Sequence, residues 1–191
     1  MTRAAIIGVA VVVAVAVAFV AFTLRPANVP TFAPTVAAPR DVGAALVGPI
    51  LFTVDATDPE AWRHFSFRVG AVTDEPARWD LGFRRYQVVS SDGGGIVDLG
   101  AVAFDQVAEA PADGYVPTEA RPDPRNAAIA GWYQYGFFSH VLTPKPHVWA
   151  VRTSDGRYAK MAMVGYYCPG AQPGCVTFRY VYRGDGSRTL R

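Results

Sequence analysis

Cysteine and histidine are scarce: the 191 residues hold two of the first and three of the second. A structural zinc site needs four ligands, and no second Cys pair or nearby His completes such a set, so no metal site is assigned. An excess of one charge is missing as well. Eighteen basic residues against sixteen acidic ones leave a formal net charge of +2. That balance argues against a large phosphate-binding surface, since nucleic-acid binders usually carry a basic stripe. Catalytic signatures are also absent: there is no Gly-x-Ser-x-Gly elbow and no His-Glu-x-x-His pair. The glycine-rich loop Ser90-Ser91-Asp92-Gly93-Gly94-Gly95 is not followed by Lys-Ser/Thr or a helical pattern, so it reads as a turn rather than a phosphate cradle. No catalytic residue is assigned, and the chain reads as non-enzymatic.

What is abundant is apolar sequence at the N-terminus. Ala4 to Leu24 runs without a charge, and at about 1.5 Å per residue a helix of this length spans roughly 30 Å, the thickness of a bilayer core. A cleaved signal peptide needs an apolar core of only about 7–15 residues before a small-x-small site. Ala16-Val17-Ala18 offers such a site, but Phe19 to Phe22 carry the apolar run past it. The reading preferred here is an uncleaved transmembrane signal anchor over residues 1–25, with residues 4–24 in the bilayer. No cysteine follows the segment to carry a lipid. Its Ala and Val surface, with Gly8, suits close packing against other membrane helices. Residues 26–49 form a linker with Pro26, Pro30, Pro34, Pro39 and Pro49. These prolines forbid a helix and favour an extended strip, which either holds a domain off the membrane or lies along a neighbouring protein.

Residues 50–191 read as the domain. Gly (18) and Pro (15) punctuate short runs, as in proteins built of many strands and turns. Strands are predicted over Ile50–Asp55, His64–Val69, Trp79–Val89, Ile96–Phe104 and the aromatic run Gly131–Phe138. Asp58-Pro59 opens a single helical turn, and Glu109–Asn126 is loop. The most regular part is Val148 to Tyr182, three period-two runs joined by Thr153-Ser154-Asp155-Gly156 and by the loop between Cys168 and Cys175. Asp-Gly suits a tight hairpin. Pro-Gly on both sides of the second loop brings its ends face to face, so Cys168 and Cys175 are expected to form a disulfide. Such a bond requires an oxidising compartment and so places the domain outside the cytoplasm. The cations Arg84, Arg85, Arg152 and Lys160 are expected to pair with Asp80, Asp155 and similar carboxylates rather than to gather into an anion site. The fold class is therefore mainly β: an antiparallel, meander or sandwich-like exported domain behind one N-terminal transmembrane helix.

Several stretches resemble the HmuY family, exported β proteins known for holding haem. They are Trp79-Asp80-Leu81-Gly82-Phe83-Arg84-Arg85, the Gly93-Gly94-Gly95 loop, Trp132-Tyr133-Gln134-Tyr135, Val151-Arg152-Thr153-Ser154-Asp155-Gly156-Arg157-Tyr158-Ala159-Lys160, Tyr166-Tyr167 and Val176-Thr177-Phe178-Arg179-Tyr180. The resemblance covers roughly Phe52 to Tyr182. It implies an antiparallel β fold without catalysis of its own, and it makes haem a candidate cofactor. In the haem-binding members two His side chains grip the iron. Here the candidates are His140 with His147 or His64, beside the aromatics Tyr133 and Tyr135.

Two functions follow as expectations. The first is a non-enzymatic accessory subunit in the bacterial cytoplasmic membrane, a single pass with its C-terminal domain in the periplasm, docked on other membrane protein subunits. An electron-transfer or photosynthetic assembly is one candidate host. The second is a membrane-tethered haem-binding protein.

Overall fold

The computed structural model describes residues 3–23, 28–74, 78–120 and 122–191. Among these residues one α-helix, α1 (Arg3–Thr23), precedes eleven strands: β1 (Leu46–Asp55), β2 (Arg63–Ser66), β3 (Ala71–Val72), β4 (Leu81–Arg84), β5 (Gln87–Ser90), β6 (Gly95–Asp98), β7 (Tyr133–Tyr135), β8 (Leu142–Pro144), β9 (Trp149–Arg152), β10 (Tyr158–Cys168) and β11 (Gln172–Arg183). They form a five-stranded sheet in the order β1-β11-β10-β9-β6, a four-stranded sheet β3-β2-β4-β5 and the separate hairpin β7-β8. Every strand pair is antiparallel.

The meander predicted over Val148–Tyr182 is β9, β10 and β11, the centre of the larger sheet. Its alternation is less clean than a half-buried sheet demands, because both faces are covered. One face carries Trp149, Val151, Met161, Phe178, Tyr180 and Tyr182 into the main core. The other carries Ala150 and Val181 into a smaller cluster with Phe104, Ala110 and Leu190. The main core is aromatic and binds the two sheets face to face. Phe65 of the small sheet lies 4.7 Å from Phe52 and meets Phe178 edge-on at 5.3 Å. Phe83 stacks on Phe178 at 5.4 Å. Aromatic pairs at such separations add to the burial of their large apolar area. Cys168 and Cys175 are bonded, with Cα atoms 4.9 Å apart, where β10 turns into β11.

Several local expectations are corrected. Trp79–Val89 is not one strand but the hairpin β4–β5, turning at Arg85 with φ 51°. The turn was hidden because Arg-Tyr carries none of the Gly or Asn that usually marks a positive φ. The strand predicted from Ile50 begins earlier, at Leu46. Pro49 is tolerated there because β1 is an edge strand and its register shifts between Val47 and Ile50. The strand predicted to Phe104 stops at Asp98, whose carboxylate accepts the Gly100 N–H at 2.8 Å and turns the chain off the sheet. The aromatic run Gly131–Phe138 contributes only Tyr133–Tyr135 to a strand.

The proline-rich strip is extended but lies along its own domain. Phe32 N–H donates to Tyr167 O at 2.8 Å, Thr35 to Thr53 O, Arg40 to Val69 O and Val42 to Arg68 O. From Thr31 the strip therefore runs over β10 and β1 of the five-stranded sheet to the turn that follows β2. Residues 24–27, between it and α1, lie outside the described residues, as do residues 75–77. Helix α1 is 21 residues long. Among the described residues no helix is long and apolar enough to cross a membrane. The side chains at 4–6, 9 and 21–23 of α1 are not among them.

Candidate functional site

The three histidines sit on three different elements. His140 follows β7 with φ 55° and is exposed, its Nδ1 hydrogen-bonded to the Tyr135 hydroxyl. His147 precedes β9 and places Nδ1 3.0 Å from an Asp98 carboxylate oxygen, an ion pair when the ring is protonated. His64 lies on β2, opposite Gly82 of β4. Among the described residues, none of the four cavities found is lined by two of these rings. Among the described residues no group of three His, Cys, Asp or Glu could hold a metal ion.

The aromatic wall expected around His140 is not assembled. Trp132 is fully buried, with its indole N–H donating to Tyr86 O at 2.8 Å. Tyr133 is half-buried, edge-on to Tyr86 at 5.6 Å. Tyr135, Phe137 and Phe138 point outward, with relative exposures of 53%, 76% and 90%. A run of aromatics does not say which way each ring faces, and this one divides between core and solvent.

A different cleft has the features of a planar-ligand site. The His64 imidazole stacks on the Trp79 indole, with centroids 4.4 Å apart and planes 18° apart. Trp62 lies beside them, and the Arg84 guanidinium sits 4.7 Å above its ring. Gly82 makes this packing feasible: a β-carbon there would come within 2.9 Å of Val89 and 3.3 Å of Trp62. Thr118 and Pro124, from the long loop after β6, close the other side. Burial lowers the pKa of His64 below its ordinary value, against a smaller opposing pull from Asp74. That shift favours the neutral ring, the form that ligates metals. The cleft encloses about 220 Å³, less than the roughly 300–1,000 Å³ of ordinary ligand pockets. It offers one imidazole and one stacked indole rather than a two-histidine grip. In the sequence His64 stands only as one of two possible partners of His140. The signal that would have found it is Trp62-x-His64 at the start of β2 opposite Trp79 and Gly82 at the start of β4, which requires knowing the strand pairing.

The expected cation pairings are also redistributed. Arg84 pairs with Asp123, and Arg157 with Asp155. Arg85 donates to the carbonyls of Thr57 and Pro173, and Arg152 lies 5.4 Å over Tyr115. Lys160 is buried and donates to the carbonyls of Phe104 and Val107. Asp80 instead accepts the Phe67 N–H at 2.7 Å.

These features define an antiparallel β-sandwich with an aromatic surface cleft. The HmuY protein family matches residues 58–180, and the chain belongs to that family. Among solved structures it is similar to the apo HmuY analog TFO of Tannerella forsythia, at 16% identity and a TM-score of 0.64, covering 75% of this chain and 99% of the other. It is also similar to a Bacteroides vulgatus protein described as HmuY-like and heme-binding, at 22% identity and 0.59, covering 70% and 91%. Apo PinO of Porphyromonas gingivitis matches at 14% identity and 0.62, covering 73% and 97%. At these identities the likeness is one of fold. Comparison with curated proteins returns no match.

Proposed function

We propose that this chain is a non-enzymatic accessory subunit of a larger membrane protein complex. Residues 4–24 anchor it in the bacterial cytoplasmic membrane, and its HmuY domain docks on partner subunits from the periplasmic side. The observation that carries this reading is the strap. Since the strip is bound to the domain from Thr31 to Val42, most of its prolines do not serve as a spacer, and an anchored domain is held close to whatever stands beside the helix. The disulfide agrees with an oxidising compartment. An electron-transfer or photosynthetic assembly is one host of this kind. To test it, membranes are solubilised gently and the native chain is followed on a sizing gradient. Stoichiometric migration with larger membrane proteins supports the reading, whereas migration as a lone 20.5 kDa chain in its micelle overturns it.

A second reading, haem binding, is favoured by the neutral His64 stacked on Trp79 and by family membership. Of the candidate ligands, His140 with His147 or His64, this reading takes His64. Haemin titration of the full chain in detergent should then give a sharp Soret band that is lost in His64→Ala and kept in His140→Ala. Absence of the band in the unaltered chain rules this reading out.

A further inference from the structure

We propose that the tip of the β7–β8 hairpin is a second membrane contact, inserting Phe137 and Phe138 into the lipid interface beside the anchor. The proposal rests on the reading of α1 as an anchor. Phe137 and Phe138 are the most exposed aromatics described in the domain, at 76% and 90%, and they contact each other edge-on at 5.4 Å. Large apolar groups projecting together into water mark an interaction site.

Three observations select lipid as the occupant. First, the stretch Ala127–Pro144 contains no Asp, Glu, Lys or Arg, so entering the headgroup region desolvates no charge. The next residue, Lys145, is a cation that suits anionic headgroups. Second, the tip is close to the tether. Val29 and Pro30 line one groove with Val141 and Leu142, and Leu142 N–H donates to the hydroxyl of Tyr167, the residue that Thr31 bridges. Chain geometry keeps Asn28 within about 19 Å of Thr23 and Phe138 within about 11 Å of Val141. Third, neither ring lines any of the four described cavities. On the same hairpin Tyr135 is exposed and its hydroxyl is bonded to His140. Exposed Phe with a neighbouring Tyr is the composition of a membrane interface. A protein-docking hot spot would instead sit within a polar rim that fixes register.

The test uses the full chain in vesicles of phosphatidylcholine with a minority of phosphatidylglycerol. Phe138→Trp is compared with the unaltered protein, using lipids brominated at shallow or deep acyl positions and aqueous iodide. The expected result is a blue-shifted added emission that shallow bromines quench and iodide does not reach. If the chain floats with the vesicles but the added Trp stays red and iodide-accessible, the tip proposal falls while the anchor stands. If the chain does not float at all, the anchor has failed and the tip proposal with it. An added Trp accessible in pure lipid but shielded in native membranes identifies a protein partner and also overturns the proposal.

Discussion

The ring of Phe32 lies against Gly165, where a β-carbon would come within 2.5 Å of Cε2. Gly165 stands between two register shifts of β10, so the strand makes room there for the strap to cross. Gly165→Ala should lift Phe32 and loosen residues 28–42 while leaving both sheets paired. The measurement is limited proteolysis of the folded chain: cleavage should appear within the strap, with little change in far-ultraviolet circular dichroism. Unchanged resistance would show that the strap is held by its hydrogen bonds alone.

Trp79 shields His64, and burial is the larger of the two influences on that imidazole. Trp79→Ala should return water to the ring and move its pKa up toward the ordinary value. Proton NMR titration of the His64 ring resonances checks this directly. A pKa that does not move would assign the shielding to Trp62 and the loop around Thr118.

Asp80 is buried, and its pKa is raised to about 6, first by desolvation and less by the nearby Asp155 charge, although the Phe67 N–H bond opposes the shift. Between the ordinary value of 3.8 and about 6, the folded state holds a proton that the unfolded chain has released. Stability from this group is therefore full at the acidic end of the window and declines as pH rises through it, by at most about 3 kcal/mol. Asn at this position keeps an oxygen to accept the Phe67 N–H. Urea unfolding of Asp80→Asn at several pH values should show that decline removed relative to the unaltered chain.

The disulfide closes a loop with a sequence separation of 7. Restricting so short a loop in the unfolded chain stabilises the domain by about 2–3 kcal/mol in the loop-entropy model. Cys168→Ser with Cys175→Ser should lower the urea midpoint by a corresponding amount. Since Cys175 is fully buried, the pair of hydroxyls adds a small further cost. The β10–β11 pairing should survive, because eight of its residue pairs from Tyr158↔Arg183 to Tyr167↔Pro173 do not involve either cysteine.

The amino-acid sequence by itself determined the β class, the central meander, the disulfide and the resemblance to the HmuY family. These depend on neighbours close in the chain: period-two alternation, Asp-Gly at a turn, and two cysteines whose loop turns back through Pro-Gly. It also marked the apolar run that became α1. Only the tertiary structure decided which way the side chains face. Trp132 and Phe138 stand in the same aromatic run, yet one is buried and the other 90% exposed, because the hairpin leaves the core just after Trp132. His64 gained Trp79 as a partner through the pairing of β2 with β4, and the proline strip gained a surface to lie on from β10 and β1. Each of these contacts joins residues far apart in sequence, and a local pattern holds no record of the distance that folding closes.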